Sequence, residues 1–165
     1  MKKTDQTIHK ICIRGIKRSL VKDAVFKTSS MYEVEGEYDS VFQKFGIKKY
    51  ENELPVCSCY LQSNRWSLLT TQRLITCNND NLTEANMDFA KVENYGDFKG
   101  YEEREYTLGH VNFDNGDSHE YFIEIGKASM VMVQGVKFRI LIQPNSEEEN
   151  NSLLKAWTRR DLRNK

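Results

Sequence analysis

Proline occurs only twice and glycine nine times in the 165 residues, too few for a collagen-like or low-complexity chain. No apolar run approaches the ~18 residues of a membrane-spanning helix, and Met1-Lys2-Lys3 is not followed by an apolar export segment. These two absences predict a soluble, cytoplasmic protein. Charge of one sign is also missing. Twenty-four Lys and Arg face 24 Asp and Glu, so no global field draws the chain to nucleic acid or to an anionic membrane. Cysteine is sparse, and without a secretion signal Cys12, Cys57, Cys59 and Cys77 are expected as buried thiols rather than disulfides. Cys57-Ser58-Cys59 lacks the two-residue spacer of a redox C-x-x-C site. His9, His110 and His119 form neither H-x-x-H nor H-E-x-x-H. The chain also lacks G-x-G-x-x-G, a Walker loop and G-x-S-x-G. Together these gaps predict no metal and no cofactor.

What is present is aromatic and polar. Eight Phe, eight Tyr and two Trp are too many for a disordered chain, although mean hydropathy is −0.66. The length suits one domain, burying roughly 70% of its unfolded surface. Charge is unevenly spread. Residues 1–27 hold eight Lys and Arg against Asp5 and Asp23, a local +6, while residues 93–124 hold nine acids against Lys99 and Arg104, a local −7.

Thr4 or Asp5 caps a helix read over 4–27, with Ile8, Ile11, Cys12, Ile16 and Leu20 on one stripe. A short second helix runs from Asp39 or Ser40 to Phe45, and Gly46 suits a left-handed C-cap. From Pro55 the texture becomes that of strands: Val56–Leu61, Arg65–Leu69, Arg73–Cys77, Met87–Val92 and Phe98–Tyr101, with Asn78-Asn79-Asp80-Asn81 as a turn. Tyr106–Phe113 and Asp117–Ile125 form the clearest hairpin. A three-residue loop, Asp114-Asn115-Gly116, aligns Val111 and Phe113 with His119, Tyr121 and Ile123 on one face, with Gly116 as the left-handed residue. Met130–Val133 and Val136–Ile142, joined around Gln134-Gly135, read as a last strand pair. Beyond Pro144, Ser146-Glu147-Glu148-Glu149 opens a C-terminal helix carrying Leu153, Leu154, Trp157 and Leu162. The class is α+β, organised as an N-terminal helical extension over residues 1–50, packed on a β-rich domain over 51–165.

Trp66-Ser67-Leu68-Leu69-Thr70-Thr71-Gln72-Arg73-Leu74-Ile75-Thr76 resembles the first hairpin of bacterial pleckstrin-homology-like (PH/GRAM-like) domains. Their pattern there is roughly W-x-hydrophobic-hydrophobic-T-x-x-R-L-I. The physical sense is a half-buried strand, a tight turn led by Thr, and a second half-buried strand whose Arg fixes the corner. The resemblance covers about residues 46–163 in element order and some eleven residues in motif. It implies an antiparallel β-barrel or sandwich of about seven strands, capped by a C-terminal helix whose Trp157 plugs one end. Members that bind phosphoinositides place several Lys and Arg in and beside the first hairpin loop, where this chain has only Arg65. Such scaffolds host many unrelated sites.

Three functions compete. The first is a non-catalytic module that binds another protein, through Tyr95, Phe98, Tyr101 and Tyr106. Their acidic neighbours Glu93, Asp97, Glu102, Glu103 and Glu105 repel phosphate and suit a basic protein partner. The second is binding of an anionic lipid surface through Lys10, Arg14, Lys17 and Lys22, with Arg65. High salt would abolish that binding, and the near-zero net charge disfavours it. The third is an enzyme built on His110, Asp114, Asp117 and His119. Asp beside a Gly turn is expected for backbone reasons alone, so no catalytic residue is assigned. No nucleic-acid partner is expected.

Overall fold

The computed structural model describes residues 3–100, 104–113 and 115–142, apart from the Val92 side chain. Within them the chain runs α1 (Asp5–Ser19), β1 (Ser29–Met31), α2 (Tyr38–Phe45), β2 (Pro55–Gln62), β3 (Arg65–Thr70), β4 (Arg73–Asn78) and β5 (Asn81–Asn86). It continues through β6 (Ala90–Asn94), β7 (Tyr106–Phe113), β8 (Ser118–Glu124) and α3 (Ser129–Ile142). The helix expected beyond Pro144, with its Trp157, lies outside the described residues, as does Tyr101.

The class is α+β, with helices at both ends of the element order and antiparallel sheets between them. Strands β1 to β5 form one sheet in sequence order, and β6, β7 and β8 form a second. They do not close into the expected barrel, and the reason is local. The outer edge of β8 meets the face of β3 and β4 through hydroxyl side chains instead of a backbone ladder: Phe122 N–H donates to Ser67 Oγ and Thr76 Oγ1 donates to the Glu120 carbonyl. Between β5 and β6 a 3-10 turn over Met87–Phe89 redirects the chain into the other sheet.

Helix α1 starts where Thr4 Oγ1 accepts the Thr7 N–H at 3.2 Å. It stops at Ser19, short of the expected Lys27, because the apolar stripe lapses: Asp23 and Lys27 stand where the next buried side chains would fall. Helix α2 ends as read, at Gly46 with φ +66. It covers the outer face of the first sheet, where Val41 and Phe45 pack on Trp66, Leu68, Ile75 and Cys77. The hairpin register also holds. Val111 pairs with His119, Phe113 N–H donates to the Asp117 carbonyl, and Gly116 has φ +87.

Four expectations are corrected. The last strand pair is one helix, α3. It packs against α1 and both sheets, and even its open stripe of Met130, Gln134, Lys137 and Leu141 is half apolar, which erases the helical period. Gly135, read as a turn, sits inside it: a Cβ there would lie 2.6 Å from Cys57 Sγ, so only glycine lets helix and strand approach this closely. Asn81, read as the last residue of a turn cluster, opens β5, and residues 82–86, assigned to no element, complete it; this edge strand is too polar and exposed to show alternation. Phe98 lies in a turn between Gly96 and Gly100, both of positive φ, and Met87–Phe89 is helical, with strand only from Ala90.

The W-x-x-x-T-x-x-R segment makes the corner inferred for it. Thr70 Oγ1 accepts the Gln72 and Arg73 N–H groups and donates to Glu53 Oε1 at 2.6 Å. Arg73 forks onto the fully buried Glu53 carboxylate at 2.8 and 3.2 Å, and reaches Glu84 at 2.6 Å.

Candidate functional site

Between β4–β5 on one side and β7–β8 on the other lies a cleft of about 800 Å³, within the usual range of ligand sites. The β4–β5 hairpin turns through Asn79 and Asp80, both at positive φ, and pairs Asn78 with Asn81 without a bulge. Period two then puts Thr76, Asn81 and Thr83 on the cleft face. The opposite wall is Leu108, Phe113, Ser118 and His119, and Phe89, 64% exposed, stands at the mouth. Asp117 and Glu120 line it against Lys91, and Glu84 stands at its β5 rim, its side chain on the opposite face and bonded to Arg73 and Tyr50, so the charge around the cleft is mildly acidic.

A chain of polar side chains crosses from sheet to sheet beneath the cleft. Thr76 spends its only hydroxyl proton on the Glu120 carbonyl at 2.8 Å. Ser67 Oγ at 2.9 Å and His119 Nε2 at 3.2 Å must therefore both donate to Thr76 Oγ1. His119 is thus the neutral Nε2–H tautomer, and burial pushes its pKa down to about 4. The signal for this chain was legible: Ser67 and Thr76 are hydroxyls at inward positions of otherwise apolar strands.

At the β6 edge of the second sheet, on the face it shares with Val111 and His119, Glu93 accepts from the Tyr95 hydroxyl at 2.5 Å. Burial pushes the Glu93 carboxyl up to about 7, opposed by the Tyr95 bond and by Lys137. Among the described residues, Glu93 Oε2 and the hydroxyl of the fully buried Tyr121 find no hydrogen-bond partner. Against unfolded values of 6.5 and 4.5, His119 and Glu93 act oppositely on stability. His119 costs stability as pH falls from 6.5 towards 4, because the unfolded chain binds the proton. Glu93 costs it as pH rises from 4.5 to 7, because the folded chain holds the proton. Each amounts to about 3 kcal/mol at full extent. Urea midpoints should therefore separate in opposite directions. Relative to wild type, Glu93→Gln should gain stability progressively from pH 4.5 to 7, and His119→Gln should gain it as pH falls from 6.5 to 4. Parallel profiles for all three proteins would refute the assignment.

The other sequence-predicted residues fall as follows. Tyr95 and Phe98 meet edge-on at 6.0 Å, and both, with Tyr106, lean on the main core while keeping part of their surface exposed. Arg65 belongs to this surface too: it donates to the Tyr106 hydroxyl and stacks over Tyr106 and Phe122, with ring centroids at 4.8 and 5.4 Å. Lys10, Arg14 and Lys17 share a face of α1 beside Arg18, with Lys17 bonded to Glu33 at 2.8 Å. Lys22 lies beyond the helix end.

His110 and His119 are not brought together. His110 is on the opposite face of the hairpin, 3.2 Å from Glu120, and Asp117 serves the turn through Asn115. The four thiols are unpaired and buried. Burial pushes Cys12 up to about 12 and Cys59 to about 11, and Cys57 well above its ordinary value. Among the described residues no group of three His, Cys, Asp or Glu side chains converges as a metal site, and no helix is long and apolar enough to cross a membrane.

The chain matches no family model, no curated protein sequence and no solved structure.

Proposed function

We propose that this protein is a non-catalytic, cytoplasmic binding module of pleckstrin-homology-like kinship that engages another protein through the cleft between its two sheets. One observation carries the reading: an acidic, part-apolar cleft of about 800 Å³ lies open between β4–β5 and β7–β8. It is a concave site with hydroxyl, amide and carboxylate groups set around Leu108, Phe113 and Phe89, as recognition sites are. The kinship rests on the Trp66–Thr76 segment, whose Thr-led turn and Arg73–Glu53 corner give that pattern a structural reason. The aromatic surface of Tyr95, Phe98 and Tyr106 adjoins the second sheet and widens the face available to a partner.

Thr83→Trp tests the site by filling it. Thr83 is exposed on the cleft wall, so the variant should keep its melting temperature. A protein retained by the immobilised wild type should then be lost. Retention by the variant at wild-type level would remove the cleft from the interface. Sedimentation with vesicles containing anionic lipid at physiological salt tests the alternative. Binding there that vanishes when Lys10, Arg14, Lys17 and Lys22 become Glu would favour the membrane reading.

A further inference from the structure

We infer that the occupant of the cleft is an extended, basic peptide segment of a partner protein, which pairs with the outer edge of β5 and adds a sixth strand to the first sheet. This rests on the cleft reading above. It starts from how the four sheet edges end. An open edge is a template for another chain, and folded proteins blunt it by shortness, bulges, charge or cover. Strand β1 has three residues. Strand β6 carries a bulge at Lys91, where Ala90 pairs with Phe113 and Val92 with Asn112. The edge of β8 is covered by Ser67 and Thr76. Strand β5 is the least protected: it is six residues long, regular in register and free of Pro and Lys, its one charge is Glu84, and among the described residues no side chain caps its outer edge as Ser67 and Thr76 cap β8.

The turn fixes which groups are on offer. A two-residue hairpin closes on a hydrogen-bonded pair, Asn78 with Asn81, so Asn81, Thr83 and Ala85 direct their backbone at β4. Met87 N–H, bonded to the Gln72 carbonyl, continues the same phase. Leu82, Glu84 and Asn86 therefore present their N–H and C=O groups outward, at the cleft. Main-chain bonds to such an edge give affinity, and the flanking side chains give selectivity. Here those charges are the half-exposed Glu84, which shares Arg73 with Glu53 and so leaves that cluster one net negative charge, and Asp117 and Glu120 across the cleft, against Lys91; this selects Lys or Arg in the incoming strand. A second copy fits less well: the antiparallel register that pairs all three outward residues, Leu82 with Asn86 of the copy, places Glu84 opposite its own copy, a like-charge pair.

Amide hydrogen exchange on the full chain tests the pairing, with two pools of peptides of roughly eight residues, a usual strand length. Both pools alternate Thr, Val, Ile or Phe with a charged residue, Lys in one and Glu in the other. The amides of Leu82, Glu84 and Asn86 should exchange fast in the free protein, and slow by about tenfold or more with the Lys pool alone. Leu82→Pro removes one outward N–H without touching the β4–β5 ladder, so it should keep the melting temperature and abolish the protection, while Leu82→Thr keeps both. Protection by neither pool, or equally by both, overturns the inference. Lys-pool binding that survives Leu82→Pro but is lost in Thr83→Trp overturns strand addition and leaves the cleft reading standing. Binding that survives both variants overturns both. Dimerisation abolished by Leu82→Pro would make the second copy the occupant and overturn the inference.

Discussion

Arg73→Met should destabilise the protein by about 3–5 kcal/mol, the penalty for leaving one member of a buried ion pair uncompensated. For a chain of this length that is roughly a 10–15 °C fall in melting temperature. The orphan is Glu53, fully buried, whose two oxygens accept the Arg73 fork together with Thr70 Oγ1 and the Tyr50 N–H. The guanidinium also bonds the Lys48 carbonyl at 2.7 Å and lies 3.7 Å from the Tyr50 ring centroid. One side chain thus ties the loop before β2 to β4 and β5. The double variant Arg73→Met, Glu53→Met should recover a good part of the loss, because no charge is then stranded. A single variant that melts within 2 °C of wild type, taken as roughly half a kcal/mol, would mean the pair is solvated.

Arg139→Met should cost a similar amount, about 3–5 kcal/mol, by detaching α3 from the β3–β4 turn. Arg139 is 1% exposed. Its Nε donates to the Thr71 carbonyl and its Nη2 to Asp88 Oδ1, both at 2.6 Å. Thr71 is held from the other side, where its hydroxyl bonds Asp5 of α1 and accepts the Leu54 N–H. Arg139→Lys keeps the charge but loses the planar fork, and should recover only part of the stability. Equal melting temperatures for wild type and Arg139→Met would show that apolar packing alone seats the helix. Because Arg73 and Arg139 bond different partners, their effects should be close to additive.

Sequence reading succeeded where a local interaction decides structure. Gly46 is left-handed because α2 must end there, and Gly116 because an odd loop is the only one that keeps Val111 and His119 on a shared face. It failed where the environment decides. In α3, Val131, Val133 and Val136 are β-branched, and apolar side chains stand even on the solvent side, where Met130 and Leu141 flank Gln134 and Lys137. Neither propensity nor period marks a helix that both sheets and α1 enclose. In β5 the reverse holds, since Asn81–Asn86 is nearly all exposed and has no apolar side to alternate. The candidate site was half legible for the same reason. Arg65 and Tyr106 were singled out for separate surfaces and proved to be one contact. The cleft went unseen because its walls come from hairpins that share no local signal, and His119 entered as a hairpin-face residue and as one member of a metal or catalytic set, not as a cleft residue.

The packing of α1 on α3 sets an order of events on the ribosome. Lys3 bonds the Ile142 carbonyl across 139 positions of sequence, and a Cβ on Gly15 would meet the Phe138 ring at 2.2 Å, so the first helix made finds its seat only on the last one described. Until residue 142 emerges, the stripe of Ile8, Ile11, Cys12 and Ile16 has β2 to lean on but lacks its main partner and stays partly exposed. Closure over so long a span is slow, and refolding is expected in roughly the millisecond-to-second range typical of non-local topologies, not in microseconds. A nascent chain halted before α3 should therefore be the form of this protein that chaperones hold.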